Sequence, residues 1–251
     1  MVDAEYFDQW YADIDRSPAR QAFFTSYLGL PPEVGPSNMV PIDGLRELAE
    51  RLALPPDGLL VDLACGRGGP GMWIAREAGA RVVGVDFSAE AVRQAADRRA
   101  LFGLDERASF VVGDLTSTGL PSGTGDAALC VDAFQFAADW PQAAAELRRV
   151  VRPGAPVALT GWAPHDRDDE RFPERMRRLD LAQELRDAGF IEVTETEMSD
   201  WQKAEQALWD AVLDAGPSDD PALASMYDEA TRMAKLVPFS RRLLVTGRAP
   251  L

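Results

Sequence analysis

Three carboxylates lie within or at the end of apolar runs in the first half of the chain, in a pattern that lets one ligand meet them all. They are Asp62, Asp86 and Asp114. A glycine-rich loop, CGRGGPG (65–71), follows the first of them, and Gly66 and Gly68 allow the backbone to turn sharply and approach a ligand closely. A carboxylate at a strand end can accept hydrogen bonds from sugar hydroxyls or an amino group, each worth about 1.5–3 kcal/mol when charge-assisted.

Five short apolar runs carry these residues, and their length and richness in Val and Leu predict strands buried on both faces. The runs are LLVDLA (59–64), RVVGVDF (81–87), ASFVVGD (108–114), DAALCVDAF (126–134) and PVALTGW (156–162). Helical spacing of apolar residues predicts helices over 69–79, 88–103 and 140–151, the second capped by Ser88. Alternating strands and helices predict an α/β fold with a doubly wound, mostly parallel sheet, whose ligands bind beyond the carboxyl ends of the strands.

The residues at that edge favour an adenosine-type cofactor. Asp86 comes twenty residues after Gly66, where an acid accepts hydrogen bonds from ribose hydroxyls. Asp114 is suited to the adenine amino group, and Leu115 to packing against the ring. Asp62 stands four residues before Gly66, where a carboxylate would repel a pyrophosphate but suit an ammonium group and a sulfonium cation. We therefore expect S-adenosylmethionine rather than a nicotinamide or flavin dinucleotide.

Four segments in the range 55–162 resemble, in order and spacing, the motif series of class I S-adenosylmethionine-dependent methyltransferases. They are VDLACGRGG, GVDFS, VVGDL and RVVRPG. LRDAGFIEV (185–193) and the strand-like segment 241–249 are similar to that family's late elements, and the flanks look most like small-molecule methyltransferases of bacterial secondary metabolism. The resemblance implies a Rossmann-like sheet of seven strands, the last one antiparallel.

The resemblance also implies a cofactor site, in which the Gly66–Gly68 loop contacts the methionine part and Asp86 holds both ribose hydroxyls. Asp114 and Leu115 would hold the adenine, and Asp132 would lie near the methionine amino end. The full set of candidate cofactor-binding residues is Asp62, Ala64, Gly66, Gly68, Asp86, Phe87, Asp114, Leu115 and Asp132.

The catalytic candidates follow from an in-line displacement, which needs a base only if the acceptor carries a proton of high pKa. Many relatives place a histidine pair after the fourth strand, where this sequence has Gln135 and Phe136. Glutamine can orient a hydroxyl but cannot take its proton. A base would then be His165, the one histidine, or Tyr11; the alternatives are a solvated loop histidine and a packing tyrosine.

Composition and flanking segments complete the predictions. We expect an N-terminal helical lid over 1–54, a cofactor core over 55–163, and the rest of the sheet over 164–251 with a helical substrate-cap insertion at about 200–238. The net charge of −15 argues against nucleic acid and anionic membrane surfaces as partners. Two cysteines and one histidine argue for reduced thiols and against a structural zinc site.

The start MVDAEYFDQW has no secretory pattern and no run of about 18 apolar residues occurs, so we expect a cytoplasmic protein, a monomer or homodimer, with a small-molecule acceptor. The residues leave three other functions open. A protein of this fold could bind the cofactor yet catalyse a non-methylating reaction such as cyclisation. It could be a dinucleotide-dependent oxidoreductase, or it could methylate a macromolecule, which the charge disfavours.

Overall fold

The computed structural model describes residues 4–35 and 38–251 and contains one seven-stranded sheet in the order β3-β2-β1-β4-β5-β7-β6. The strands are β1 (Leu59–Leu63), β2 (Arg81–Asp86), β3 (Ala108–Val112), β4 (Ala127–Cys130), β5 (Pro156–Pro164), β6 (Ile191–Glu197) and β7 (Ser240–Arg248). Strands β1 to β5 pair in parallel, whereas β7 runs antiparallel to both β5 and β6. The predicted α/β fold with a mostly parallel sheet and an antiparallel last strand is therefore confirmed.

Ten α-helices occur in the described part of the chain. They are α1 (Ala4–Asp15), α2 (Pro18–Leu28), α3 (Ile42–Leu52), α4 (Gly69–Ala78), α5 (Ala89–Asp97), α6 (Trp140–Val150), α7 (Glu174–Arg178), α8 (Leu181–Asp187), α9 (Ser199–Ala215) and α10 (Pro221–Met233). The Ser88 side chain caps α5 as predicted, accepting a hydrogen bond from the Ala91 N–H at 3.0 Å. The helix predicted over 88–103 is shorter than expected, because α5 ends at Asp97 and a 3₁₀ turn (Arg99–Phe102) follows.

The sheet is covered on both faces, and the alternation of side chains along β1 shows how. Leu60 packs in one apolar cluster with Leu48 of α3, whereas Val61 packs in a second cluster with Leu147 of α6 and Leu185 of α8. Successive strand residues point to opposite faces, so both faces of β1 are buried. The carboxyl edge of the strands is therefore the place where the sheet can receive a ligand.

The helices outside the core form one layer at that edge. Helix α9 contacts α2 and α10, and α1 contacts α5 and α10. The Ser17 hydroxyl donates a hydrogen bond to the Asp220 carboxylate at 2.7 Å and so joins the beginnings of α2 and α10. Within residues 4–35 and 38–251, we find no helix with both the length and the apolar character needed to cross a membrane.

Candidate active site

The loop after β1 adopts a backbone that few residues other than glycine tolerate. Gly66 and Gly68 have φ angles of +53° and +74°, and Ala64 has +51°, which is uncommon for a residue with a side chain. A Cβ on Gly68 would lie 2.8 Å from the Phe110 ring, so the loop is also too crowded for a side chain there. The loop thus presents bare backbone at the carboxyl edge, as a ligand-binding turn requires.

Asp86 joins this loop to the end of β2. Its carboxylate is 3% exposed and accepts hydrogen bonds from the Gly66 N–H at 2.7 Å and the Ser88 N–H at 2.9 Å. Burial raises the pKa of Asp86 to about 6, although these backbone N–H groups partly offset the effect. A carboxylate has about four lone-pair sites, so Asp86 keeps acceptor capacity beyond these backbone contacts, and its role toward ribose stays a prediction.

Asp62 is a buried carboxyl directly behind the same loop. Desolvation, with the nearby charge of Asp86 as the second cause, raises the pKa of Asp62 to about 8, and the Gly71 N–H offsets this in part. Its Oδ2 lacks a hydrogen bond of good geometry among residues 4–35 and 38–251. A Cβ on Gly71 would come within 2.3 Å of this oxygen, so glycine is needed there. A buried acid without full compensation fits a cationic ligand, since a positive charge nearby would stabilise its ionised form.

The adenine candidates follow β3. Asp114 is exposed and its Oδ1 accepts a hydrogen bond from the Thr116 N–H at 2.7 Å, while Leu115 is buried in the second apolar cluster. Their roles toward adenine stay predictions.

Helix α1 of the predicted N-terminal lid lies across this edge, through contacts that the sequence did not reveal. The Phe7 ring is 5.4 Å from the Phe87 ring after β2 and 6.0 Å from the Phe136 ring after β4. The Asp8 carboxylate accepts hydrogen bonds from the Ser88 hydroxyl and the Glu90 N–H at the beginning of α5. Helix α1 therefore lies across the ends of β2 and β4. Because β1 lies between these two strands in the sheet, the helix also passes over the loop after β1.

The three catalytic candidates lie in different places. Gln135 donates a hydrogen bond from Nε2 to the Asp132 carbonyl at 2.7 Å, so these two predicted residues are together after β4. His165 is exposed directly after β5, and its backbone N–H donates to the Phe239 carbonyl. Tyr11 is buried in α1, with its ring centroid 5.0 Å from that of Trp10. Their roles stay predictions.

Sequence reasoning missed a buried charged network beside Asp132. Arg242 of β7 is fully buried and contacts both Asp132 and Glu205 of α9. One signal for it exists in the sequence. Arg241 and Arg242 are adjacent within an apolar strand, so their side chains point to opposite faces of a sheet that is covered on both sides.

Comparison with known proteins agrees with this geometry. Residues 60–154 match a family described as a methyltransferase domain. The sterol 24-C-methyltransferase of Eremothecium gossypii is 32% identical over 130 residues, which are 52% of this chain and 35% of that protein. The chain thus spans about a third of the length of this curated relative.

Two solved structures share the fold. The [4+2]-cyclase SpnF has a TM-score of 0.67 and 25% identity, with 82% of this chain and 80% of that chain covered. The geranyl diphosphate C-methyltransferase of Streptomyces coelicolor A3(2), solved with Mg²⁺, geranyl diphosphate and S-adenosyl-L-homocysteine, has a TM-score of 0.64 and 17% identity, with 82% and 78% covered.

The fold, the loop after β1 and the matched segment agree with one another. Residues 60–154 match a methyltransferase domain, in agreement with the class I S-adenosylmethionine-dependent methyltransferase motifs of the sequence. The matched methyltransferase domain and the solved neighbour that holds S-adenosyl-L-homocysteine support S-adenosylmethionine as the cofactor, in line with the prediction made from Asp62 and the glycine loop.

Proposed function

We propose that this chain transfers the methyl group of S-adenosylmethionine to a small-molecule acceptor, by in-line displacement at the carboxyl edge of the sheet. The observation that carries the proposal is the pairing of the glycine loop with two buried acids, Asp62 and Asp86, behind it. When bound, the cofactor supplies a methyl group that its sulfonium already activates. The protein then has to supply alignment and exclusion of water.

Each part of the edge has a role in this proposal. Asp86 fixes the ribose, Asp62 provides negative charge near the sulfonium and ammonium groups, and Asp114 and Leu115 receive the adenine. The range 1–54 acts as a helical lid through α1, and the helical insertion at about 200–238 caps the acceptor side. The core is 55–163, and 164–251 completes the sheet.

The proposed acceptor is neutral or cationic and partly apolar. The rings of Phe7 and Phe136 support an apolar part, since Phe136 is 47% exposed at the end of β4. The net charge of −15 supports the absence of nucleic acid, anionic membrane and polyanionic substrates among its partners. Gln135 would orient the acceptor, with His165 or Tyr11 as the base if one is needed.

The setting that we propose is a cytoplasmic enzyme of secondary metabolism, a monomer or homodimer. Cys65 and Cys130 support a reducing compartment, because both are free thiols in the described part of the chain.

Binding of S-adenosylmethionine should release protons near neutral pH. Asp62, with a pKa of about 8, is mostly protonated at pH 7, and a nearby cation favours its ionised form. The affinity should therefore rise between pH 6 and pH 8 by roughly tenfold or less for each pH unit, as linkage to a single proton allows. Calorimetry in buffers of different ionisation enthalpy measures the release, and Asp62→Asn should abolish it. Proton uptake, or equal release in the variant, would contradict the role of Asp62.

A second candidate function is a non-methylating reaction such as cyclisation, with the cofactor as a structural element. The likeness to the [4+2]-cyclase SpnF, together with Gln135 and Phe136 in place of a histidine pair, favours it specifically.

An acceptor screen separates the two functions. Purified protein is incubated with S-adenosylmethionine and a panel of amines, phenols, sterols and polyketide-like alcohols, and S-adenosylhomocysteine is quantified with the product mass. Methyl transfer is supported if S-adenosylhomocysteine is released and the product is heavier by roughly 14 daltons, the mass of one added CH₂ group. An acceptor that is converted without a change of mass and without S-adenosylhomocysteine supports the second function.

A further inference from the structure

A buried charged network lies where β4, β5, β7 and α9 meet. The Arg242 side chain is fully buried, and its Nη1 and Nη2 atoms lie 3.0 and 3.1 Å from the two Asp132 carboxylate oxygens. Its Nε lies 3.6 Å from the Glu205 carboxylate. One guanidinium thus serves two buried carboxylates, an arrangement that is costly to desolvate and adds little stability relative to apolar packing. Stability alone therefore does not account for it.

Most of the hydrogen-bonding capacity of the Asp132 carboxylate is used within the protein. Its Oδ1 also accepts a hydrogen bond from the Thr160 hydroxyl at 2.7 Å, and its Oδ2 accepts one from the Met39 N–H at 2.9 Å. With the hydrogen bond from Arg242 Nη2, three hydrogen bonds and the close Nη1 atom occupy most of the lone-pair sites that a carboxylate offers. The residue predicted to lie near the cofactor's amino end therefore has its side chain engaged mainly by the protein itself.

The backbone at Asp132 shows what this commitment maintains. Asp132 has a φ of +53°, a left-handed conformation that a residue with a side chain keeps only when its surroundings fix it. The same turn directs the Asp132 carbonyl to the Gln135 amide. The Arg242 contact fixes the turn from β7, the second strand from β4 in the sheet, 110 residues along the chain.

The order of the strands places this turn along the cofactor. In the strand order β3-β2-β1-β4 of the sheet, the residues proposed for adenine follow β3. Asp86, proposed for the ribose, ends β2, and the glycine loop follows β1. A ligand extended along this edge has its adenine at β3, so its methionine end reaches the β1 loop and the neighbouring end of β4. The turn at Asp132 is therefore beside the amino-acid part of the cofactor.

We infer that Arg242 is a positioning residue: through Asp132 it holds the left-handed turn after β4 in the form whose backbone receives the methionine part of the cofactor. The inference rests on the proposed cofactor orientation. The flat guanidinium can contact both carboxylate oxygens at once, which the ammonium of lysine does with less geometric precision.

Contacts with Glu205 and Trp162 fix the other side of the Arg242 guanidinium. Glu205 accepts hydrogen bonds from the indole N–H groups of Trp162 at 2.9 Å and Trp209 at 3.1 Å. The Trp162 ring centroid is 4.2 Å from the Arg242 guanidinium carbon. Helix α9 of the cap thus orients Arg242, and Arg242 orients the turn at the cofactor edge.

The test compares two ligands that differ only in the amino-acid part. S-Adenosylhomocysteine carries it, whereas 5′-methylthioadenosine keeps the adenosine and the sulfur alone. Calorimetry measures both dissociation constants for the wild type, Arg242→Gln and Arg242→Lys, with Arg241→Gln as the matched control. Arg241 is the preceding residue of β7 and pairs with Glu195 instead of this network.

Arg242→Gln should weaken S-adenosylhomocysteine binding about tenfold or more, with 5′-methylthioadenosine changed less than about threefold. Arg242→Lys should show a smaller loss of the same selective kind, and Arg241→Gln should show none. If Arg242→Gln fails to fold by near-ultraviolet circular dichroism, Arg242→Lys decides alone. Equal losses for both ligands, or unchanged binding of both in a folded variant, would overturn the inference. If the wild type itself does not bind S-adenosylhomocysteine, the proposed function fails instead.

Discussion

Replacing Asp86 by alanine should weaken S-adenosylmethionine binding by tens-fold or more. The change removes the acceptor for two ribose hydroxyls, each worth about 1.5–3 kcal/mol as a charge-assisted hydrogen bond, where about 1.4 kcal/mol is tenfold in affinity. It also removes the hydrogen bond that the Gly66 N–H donates to Asp86 at 2.7 Å, so the glycine loop loses a contact with the end of β2. Calorimetric titration of the folded variant measures the loss.

Two further variants serve as controls for the loss of affinity in Asp86→Ala. Asp86→Asn keeps one acceptor oxygen without the charge and should lie between the wild type and Asp86→Ala. Asp97→Ala, which removes an exposed carboxylate of α5 paired with Arg93, should leave the affinity unchanged. The raised pKa of Asp86, about 6, means that ionisation at neutral pH is unfavourable to folding, so loss of its charge does not by itself unfold the protein. An unchanged affinity in folded Asp86→Ala would contradict the ribose assignment.

Replacing Asp62 by asparagine should make the protein more stable and the cofactor weaker. The folded-state pKa of about 8 lies above the ordinary value of 3.8, so the folded state prefers the protonated acid. The wild type therefore loses stability as the pH rises from about 4 to about 8, and the loss at pH 8 is on the order of 5 kcal/mol. Asparagine resembles the protonated acid and does not carry this cost.

Urea unfolding of both proteins at pH 5 and pH 8 measures the effect. The stability difference in favour of Asp62→Asn should be larger at pH 8 than at pH 5, and other titrating groups cancel because both proteins share them. Binding of S-adenosylmethionine at pH 8 should weaken by about tenfold, because the cation loses a counter-charge. A variant that is less stable at pH 8 and binds normally would show that Asp62 only serves the local fold.

Most of the sheet was predictable because its signals are local. Runs such as RVVGVDF (81–87) are apolar and β-branched, and the turn residues between elements stand within a few positions of the strand ends. The break between α9 and α10 was visible in GPSDDP (216–221) for the same reason. The end of α5 at Asp97 was missed, because the apolar spacing continues to Phe102 while the backbone tightens into a 3₁₀ turn.

The side-chain contacts that hold the helices over the site were not predictable, because they join distant parts of the chain. Asp8 caps α5 through Ser88, 80 residues later, and Arg242 meets Asp132 across 110 residues. Neither pairing leaves a periodic pattern in one sequence. Asp132 follows β4 as predicted, but its carboxylate contacts Arg242, Thr160 and Met39 of the protein itself, and its role at the cofactor stays a prediction.

The measurement that tests the central claim most directly is a calorimetric titration of the protein with S-adenosylmethionine, S-adenosylhomocysteine and NADH. Micromolar binding of the two sulfur compounds, with no heat from NADH, is the result predicted by the buried carboxylates and the glycine loop. Binding of NADH alone would contradict the account, because a pyrophosphate would then be tolerated beside Asp62.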